Sequence, residues 1–290
     1  MPAQLMDGKA VARKVRDEVR ERVAALVAAG TTPGLAVVLV GHHPPSEIYV
    51  DLKAKESARV GIASRIARLP SDASDDEVLA LIDRLNADPR VHGILVQLPL
   101  PDHLDPRPIL DRVHPYKDVD GLHPTNVGWL QAGRPALLAC TPQGVMRLLR
   151  EYDVPILGRH AVVLGRSAIV GRPMSWMLLR AHATVTTCHR YTDDPARFAR
   201  EADILISAVG RPGLVQADWI KPGAVVVDVG INRLPDGRVV GDVDFAAARE
   251  RASFITPVPG GIGPMTVAML MNNTCLAAER AAQRTHEVLP

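Results

Sequence analysis

This sequence contains few cysteines and few aromatic residues, and neither charge sign is in large excess. Its 290 residues include three cysteines, and phenylalanine, tryptophan and tyrosine together make up 3% of the chain. Cys140, Cys188 and Cys275 are odd in number and far apart, which argues against a disulfide framework and predicts reduced thiols. The formal net charge is only +2, with both signs interspersed. This balance predicts no nucleic-acid partner and no anchor for anionic membranes.

Long apolar runs and clusters of metal ligands are missing as well. No uninterrupted apolar stretch approaches the roughly 20 residues needed to span a bilayer, and residues 1–9 lack the apolar run of a secretory signal. We therefore expect a cytoplasmic protein without a membrane partner. His42 and His43 are adjacent, but no second group of ligands accompanies them, so this pair predicts a loop and no metal is expected.

The hydrophobic pattern instead alternates between helix and strand, which predicts an α/β fold. Valine and leucine recur at helical spacing over residues 11–27, and residues 35–40 have the composition of a buried strand. Ser46 is the expected N-cap of a following helix, which is expected to stop near Gly61. The next predicted elements are a short strand near residues 66–69, a helix over 74–86 and a strand over 93–98.

The segment between residues 99 and 139 differs from the rest, because seven prolines interrupt it. Such a loop-rich segment is typical of a domain boundary. A helix is expected to follow it, with Thr141 as the N-cap and Pro142 at the first helical position.

Residues 161–174 read as one unit, in which an apolar strand runs into a glycine turn that opens a helix. Gly165 allows the backbone to bend and approach a pyrophosphate, Gly171 allows close packing, and the amides at the helix start attract negative charge. The segment predicts a dinucleotide-binding crossover. It departs from G-x-G-x-x-G, so an ordinary strand-to-helix connection is the alternative.

The next predicted strand, over residues 183–188, suggests which dinucleotide is bound. It ends at His189 and Arg190, where an NAD site usually carries an acidic residue for the ribose hydroxyls. Arg190, together with Arg166 in the glycine turn, suits a 2′-phosphate, because guanidinium groups bind phosphate oxygens through paired charged hydrogen bonds. We therefore expect NADP as the cofactor; two solvated surface arginines are the alternative.

The second half of the chain continues the alternation of strands and helices. Apolar segments over 203–210 and 224–231 each run into a glycine, as parallel strands do in such folds, and a short strand is expected over 253–258. A final helix, from Thr266 to about residue 284, is expected to return to the first domain. The expected domains are residues 1–139 completed by 267–290, and a Rossmann-type parallel-sheet domain of residues 140–266.

Tyr49 and Lys53 lie four residues apart on the helix predicted after Ser46, so their side chains project from one face. Tyr-x-x-x-Lys also occurs in short-chain dehydrogenases, but there it follows the glycine turn, whereas here it precedes it. A packed tyrosine beside a solvated lysine is the other interpretation. Gln97 at the end of a strand, Asp120 in the boundary segment and a glycine loop at residues 259–266 are expected to border the same interdomain cleft.

Five motifs, taken together and in order, resemble the bifunctional methylenetetrahydrofolate dehydrogenase and methenyltetrahydrofolate cyclohydrolase (FolD) family over nearly the whole chain. They are SEIYVDLK at residues 46–53, VQLPLP at 96–101, KDVDGLHPTN at 117–126, GRSAIVG at 165–171 and PGGIGPMT at 259–266. The resemblance implies two α/β domains with a folate cleft between them, a homodimer formed through the cofactor domain, and NADP as the hydride acceptor.

The resemblance also implies roles for individual residues. Lys53 would be the principal catalytic residue assisted by Gln97, Tyr49 would stack beside the folate, and Asp120 would anchor the pterin. The implied cofactor contacts are Gly165, Arg166, Ser167, Arg190 and Ile231. The implied substrate contacts include Tyr49, Lys53, Gln97 and Asp120. The others are Val96, Leu98, Pro259, Gly260, Gly261, Ile262 and Gly263.

The implied activity is NADP-dependent oxidation of 5,10-methylenetetrahydrofolate, followed by hydrolysis of the methenyl product to 10-formyltetrahydrofolate. A monofunctional dehydrogenase and a non-catalytic dinucleotide-binding protein are the alternatives. Two segments depart from the family pattern. His42, His43 and Pro45 replace the usual residues before the catalytic helix, and Arg190 and Tyr191 stand where serine and a basic residue are common. The second departure bears on phosphate recognition, with NADP still expected.

Overall fold

The structure, a computed structural model, describes residues 2–134 and 136–287. Pro135, one of the boundary prolines, lies outside the described residues. The strands are β1 (Gln4–Leu5), β2 (Gly34–Val40), β3 (Ala63–Leu69), β4 (Gly93–Val96), β5 (His160–Leu164), β6 (Thr184–Cys188), β7 (Ile204–Ser207), β8 (Val225–Asp228), β9 (Asn232–Arg233), β10 (Val239–Val240) and β11 (Phe254–Ile255). The α-helices are α1 (Gly8–Ala28), α2 (Pro44–Arg59), α3 (Asp75–Ala87), α4 (Pro106–Arg112), α5 (Pro124–Gln131), α6 (Cys140–Glu151), α7 (Gly171–Arg180), α8 (Pro195–Ala199), α9 (Phe245–Arg249) and α10 (Ile262–Glu287). Within these residues, no helix is both long and apolar enough to cross a membrane, and no three His, Cys, Asp or Glu side chains are grouped to hold a metal ion.

The described residues form two compact units, which we name by their sheets. The three-stranded unit comprises residues 14–140 with 267–287, and the six-stranded unit comprises residues 2–13 with 141–266. Residues 2–13 were expected in the first domain, but the structure groups them with the second half of the chain. The reason is that β1 pairs in parallel with β11, a partner about 250 residues away that local patterns do not reveal.

The sheet of the three-stranded unit has the order β3–β2–β4, with all strands parallel. The central strand, β2, is buried along its whole length, which explains why its sequence is uniformly apolar rather than alternating. Helix α3 packs its apolar side into the same core. The strand predicted over 93–98 ends at Val96, so Gln97 is the first residue of the connection that follows β4.

The sheet of the six-stranded unit has the order β1–β11–β8–β7–β5–β6 and is parallel throughout. The strand order reverses at β5, because β6 lies on one side of it and β7 on the other. In open parallel sheets the ligand crevice lies outside the carboxyl ends of the strands at this reversal. The predicted Rossmann-type fold is therefore confirmed, and the loops after β5 and β7 become the natural place for a cofactor.

Helices α2, α4 and α5 each begin at a proline. Helix α2 begins at Pro44 with His43 as its N-cap, so the prediction that Ser46 caps this helix is wrong. Helices α4 and α5 begin at Pro106 and Pro124, inside the segment predicted to be loop-rich. Proline suits the first helical turn because its fixed φ is helical and because an N–H at that position would have no intrahelical partner.

Two further helix starts also differ from expectation by a few residues. Helix α6 begins at Cys140, so Thr141 lies within the helix instead of capping it. Helix α10 begins at Ile262, four residues before the predicted start. In both cases a proline, Pro142 or Pro264, is the third helical residue, where its missing N–H again costs no hydrogen bond.

From residue 267 onward, the C-terminal helix α10 belongs to the three-stranded unit, as predicted. Asn273 on this helix donates hydrogen bonds from Nδ2 to the carbonyl oxygens of Val119 and Leu138, both at 2.8 Å. Arg22 on α1 donates to both carboxylate oxygens of Glu279, at 2.8 and 2.7 Å. A paired guanidinium and carboxylate of this kind fixes orientation as well as distance.

Candidate active site

Lys53 and Gln97 meet in the three-stranded unit, although 44 residues separate them in the sequence. The Lys53 ammonium donates a hydrogen bond from Nζ to Gln97 Oε1 at 2.8 Å. Gln97 in turn donates from Nε2 to the carbonyl oxygen of Leu98 at 2.6 Å. Because the amide nitrogen is already engaged, the amide oxygen is the atom turned toward the lysine. The hydrogen bond to Gln97 therefore fixes the orientation of the Lys53 amine.

Asp120 is the charged partner of Lys53. Burial lowers the pKa of Lys53, and the negative charge of Asp120 opposes that shift. Burial also raises the pKa of Asp120 to about 6, again opposed by the charge of its partner. Both groups therefore titrate closer to neutral pH than free side chains do, because the site disfavours charge on either of them.

Cys140 is buried beside these two groups. Its pKa lies well above the ordinary thiol value, first because of burial and then because of the charge of Asp120. The thiol Sγ lies 3.3 Å from the carbonyl oxygen of Val119. A thiol that stays protonated is a weak donor and a small packing group rather than a nucleophile. This agrees with the expectation of reduced packing cysteines.

The loop that carries Asp120 is organised around a second carboxylate, Asp118, which is buried. Asp118 accepts hydrogen bonds from the backbone amides of Gly121 and His123, at 3.1 and 2.8 Å, and from Asn126 Nδ2 at 2.9 Å. Gly121 has φ +73, and a Cβ there would lie 2.2 Å from the carbonyl carbon of Leu138. Residue 121 must therefore be glycine, and the hydrogen bonds to the buried carboxylate of Asp118 fix the shape of the loop.

Tyr49 lies on α2 one turn before Lys53, and 46% of its surface is exposed. An accessible ring at this position can stack on a planar ligand that also reaches the lysine. Val96, by contrast, has its side chain in the core cluster of the unit. Any ligand contact there would come from its backbone, whereas the Leu98 side chain is partly exposed.

The glycine loop at residues 259–263 lies in the six-stranded unit, whereas Lys53 and Gln97 lie in the three-stranded unit. Gly260 has φ +112, and a Cβ on Gly261 would lie 2.6 Å from the carbonyl oxygen of Pro257. The side chain of Ile262 is buried, whereas Pro259 is exposed. The loop therefore presents mainly backbone to a ligand.

A cavity of about 620 Å³ opens at the carboxyl ends of β5, β6 and β7. Its lining residues are Leu164, Gly165, Arg166, Ser167, Cys188, His189, Arg190, Thr192, Pro195, Ala208, Val209, Arg211, Leu214 and Trp219. Four of the five predicted cofactor residues belong to this set. Three arginines give the cavity a positive lining, which suits a ligand that carries phosphates.

The glycine turn in this cavity has no room for a side chain at residues 165 and 171. Gly165 has φ +113, and a Cβ there would lie 2.2 Å from the carbonyl oxygen of Ala208. A Cβ on Gly171 would lie 2.1 Å from the carbonyl oxygen of Gly165. Ser167 Oγ accepts hydrogen bonds from the amides of Val170 and Gly171, at 3.1 and 3.3 Å. The turn is therefore built for the close approach of a ligand at the start of α7.

Two arginines gather around one tyrosine at the edge of the cavity. The Arg190 guanidinium carbon lies 4.6 Å from the centroid of the Tyr191 ring, and Arg190 also donates a hydrogen bond to the Tyr191 hydroxyl. The Arg166 guanidinium carbon lies 6.0 Å from the same centroid. Both cations are therefore within reach of the electron-rich ring of Tyr191.

Ile231, the fifth predicted cofactor residue, follows β8 and does not line this cavity. Its side chain is 55% exposed, and its Cδ1 would lie 3.8 Å from a Cβ on Gly263. Arg211 and Trp219 line the cavity but escaped the sequence analysis. Arg211 directly follows Gly210, the last residue of an apolar segment that was predicted to be a strand. Its position after that glycine is the sequence feature that could have indicated a ligand contact.

These features define a class of protein. A parallel sheet that carries a basic, glycine-lined cavity at its strand reversal is a dinucleotide-binding fold. The chain belongs to the tetrahydrofolate dehydrogenase/cyclohydrolase family. The model of the family's catalytic domain matches residues 6–120, and the model of its NAD(P)-binding domain matches residues 139–282.

Individual relatives agree with the family assignment. The chain is 55% identical over 280 residues to the bifunctional protein FolD of Moorella thermoacetica. The aligned region covers 97% of this chain and 100% of that protein. The crystal structure of the bifunctional FolD enzyme from Campylobacter jejuni is similar at a TM-score of 0.95 and 49% identity, covering 96% and 99% of the two chains. The Trypanosoma brucei dehydrogenase-cyclohydrolase, complexed with NADP and an inhibitor, has a TM-score of 0.93 and 42% identity, covering 98% and 99%.

The coupling between Lys53 and Asp120 gives a directional prediction. Replacing Asp120 by asparagine removes the negative charge that raises the pKa of Lys53, so that pKa should fall further below its ordinary value. NMR titration of isotopically labelled lysine side chains measures the change. Asp102→Asn, an exposed carboxylate in the same unit, is the control and should leave the titration unchanged. An unaltered Lys53 titration in Asp120→Asn would contradict the coupling.

Proposed function

We propose that this chain catalyses two consecutive steps of one-carbon folate chemistry. The first is NADP-dependent oxidation of 5,10-methylenetetrahydrofolate to 5,10-methenyltetrahydrofolate, and the second is hydrolysis of that product to 10-formyltetrahydrofolate. We assign the folate chemistry to the three-stranded unit and the cofactor to the six-stranded unit. The hydrogen bond between Lys53 and Gln97, beside Asp120, is the observation that carries the proposal.

The residues around the cavity at β5 fit NADP. A turn in which glycine alone fits at residues 165 and 171, followed by the amides at the start of α7, suits a pyrophosphate. Arg166 and Arg190 both line the cavity and both lie near the Tyr191 ring, so a second, terminal phosphate group would find two guanidinium donors there. Ser167, in the same turn, and Ile231, after β8, complete the proposed cofactor contacts.

The oxidation step demands positioning more than proton transfer. NADP, when bound, accepts the hydride that leaves the one-carbon bridge of the folate. The chain's contribution is to hold the folate ring system with its reacting carbon fixed and shielded from water. Tyr49 is assigned to this task because its exposed ring is one helical turn from Lys53. Asp120 is assigned to anchor the pterin, whose ring N–H groups suit a carboxylate acceptor.

The hydrolysis step requires proton transfer, and Lys53 is placed for it. Water adds to the cationic methenyl carbon and loses a proton as the new C–O bond forms. A lysine whose pKa is lowered by burial accepts that proton and can return it to the folate nitrogen as the C–N bond breaks. The formyl C=O bond forms in the same step, and the hydroxyl proton of the adduct is released to solvent. Gln97 orients the amine through its Oε1, and the cationic ligand disfavours a second positive charge on Lys53 still further.

The proposed substrate contacts include backbone as well as side chains. The contacts around the reacting groups are Tyr49, Lys53, Val96, Gln97, Leu98 and Asp120, and those of the glycine loop are Pro259, Gly260, Gly261, Ile262 and Gly263. A monofunctional dehydrogenase is not favoured, because the Lys53–Gln97 pair that serves hydrolysis is intact. A non-catalytic dinucleotide-binding protein is disfavoured by the same pair.

The family resemblance supports two further parts of the proposal. One is a homodimer formed through the six-stranded unit, and the other is a cytoplasmic location. Light scattering of the purified protein should give about twice the mass of one 31.3 kDa chain. A mass equal to that of one chain at micromolar concentration would contradict the dimer.

The assignment of Lys53 is tested by replacing it with methionine, which keeps the apolar stem and removes the amine. Hydrolysis of methenyltetrahydrofolate, followed by its absorbance, should fall by about 10²-fold to 10⁴-fold, because general acid–base catalysis is lost. Lys55→Met is the matched control, since Lys55 is exposed and lies two residues further along α2. Near-parental hydrolysis in folded Lys53→Met would refute the role.

The assignment of Arg190 is tested by cofactor selectivity. Arg190→Ala should reduce the ratio of kcat/KM with NADP to kcat/KM with NAD by about 10-fold to 100-fold, because charge-assisted hydrogen bonds to a phosphate are lost. Arg197→Ala removes an exposed arginine that stacks on Phe198 outside the cavity, and it should leave the ratio unchanged. Equal efficiency of the parent protein with NAD and NADP would remove the phosphate role altogether.

A further inference from the structure

A buried carboxylate, Asp242, lies in the six-stranded unit behind the cofactor cavity and is not one of its lining residues. It follows β10, and its relative exposure is 0%. A charged group in such a position is costly unless hydrogen-bond donors surround it. The hydrogen-bond donors that surround Asp242 therefore indicate its role.

Three of the donors are consecutive backbone amides of one loop. Asp242 Oδ2 accepts from the amides of Val209 and Gly210, at 2.7 and 3.2 Å, and Oδ1 accepts from the amide of Arg211 at 2.9 Å. The Ser207 hydroxyl donates to Oδ2 at 3.3 Å. This is the loop after β7, and Val209 and Arg211 both line the cavity.

A further donor comes from Asn232, the first residue of β9, which ends the short connection after β8. Asn232 Nδ2 donates to Asp242 Oδ1 at 2.9 Å. The backbone of Gly230 passes so close that a Cβ there would lie 2.3 Å from the same oxygen. Ile231, the proposed cofactor contact, stands between these two residues. One carboxylate thus ties together the loops after two neighbouring strands.

Asp242 is itself held by another buried carboxylate. Asp228 accepts hydrogen bonds from the amides of Gly230, Asp242 and Val243, at 2.9, 3.0 and 2.9 Å. A Cβ on Gly241 would lie 1.9 Å from Asp228 Oδ2, so the chain can pass there only as glycine. The backbone at residue 242 is therefore fixed, and the position of its side chain follows from it.

We propose that Asp242 is a positioning residue for the dehydrogenase step: without touching NADP, it sets the shape of residues 209–211 and 230–232 around the cofactor. This inference rests on the proposed function. Because the amides of 209–211 are consumed by Asp242, this loop meets the cofactor with carbonyl oxygens and the Arg211 side chain. Such a surface suits ribose hydroxyls, whereas the glycine turn after β5 suits phosphate.

The test is Asp242→Asn, which keeps the shape but replaces one acceptor oxygen by an amide group that faces donors. The Kd for NADP, measured by titration without folate, should rise about tenfold or more, and the KM for NADP should rise with it. The KM for methylenetetrahydrofolate and the NADP-independent hydrolysis of methenyltetrahydrofolate should stay within about twofold, because Tyr49, Lys53, Gln97 and Asp120 all lie in the other unit. Asp236→Asn, which removes an exposed carboxylate between β9 and β10, should match the parent in all four measurements.

An unchanged Kd for NADP in Asp242→Asn, or a parallel loss of hydrolysis, would overturn the inference. If Asp242→Asn does not unfold cooperatively, Asn232→Ala decides, because it removes one donor and leaves the carboxylate in place. A smaller rise in the Kd for NADP supports the inference, and no rise refutes it. The Kd measurement needs no turnover. A parent protein that binds NADP but converts no folate would therefore refute the proposed function without affecting this comparison.

Discussion

Backbone amides that converge on buried carboxylates are the constraint on which the functional loops of this protein depend. Asp118 gathers the amides of Gly121 and His123, whereas Asp242 gathers those of residues 209–211. In both cases the carboxylate satisfies donors that would otherwise be buried without partners. The loop that results carries a proposed ligand-contacting residue, Asp120 in one unit and Arg211 in the other.

The same burial has a different effect where the partner is a cation. Lys53 and Asp120 are each pushed toward the neutral form by desolvation and pulled back by the other's charge. Neither effect alone would suit proton transfer. A fully solvated lysine would remain protonated, and a lysine buried without a carboxylate would become too weak a base to take up the proton. The balance between the two is what gives this amine a proposed catalytic use.

Local patterns in the sequence predicted the parts of this fold that local interactions determine. The glycine turn at Gly165 was predicted because an apolar strand runs into glycines that open a helix, and Arg190 was singled out because it follows the end of a predicted strand. Helix starts were missed at Pro44 and Pro106, since proline marks both a loop and a first helical turn. Composition cannot separate these two readings.

Features that depend on distant partners were beyond the sequence. The two-residue strand β1 has no periodicity to detect, and its pairing with β11 exists only in the folded chain. The local sequence does not distinguish Asp242 from other aspartates, because most of its hydrogen-bond donors belong to residues 209–211, about 30 positions away. The spacing of Tyr49 and Lys53 was visible, but the bond from Lys53 to Gln97 joins two elements that only the sheet brings together.

The central claim is that an amine with a lowered pKa moves the proton during hydrolysis. It is tested most directly by the pH dependence of kcat for methenyltetrahydrofolate hydrolysis by the unaltered protein, at saturating substrate and after subtraction of the uncatalysed rate. The account predicts that kcat rises with pH through one titration that lies below the ordinary lysine value of 10.5. A rate that stays constant across that range, or that rises only at the ordinary lysine value, would contradict it.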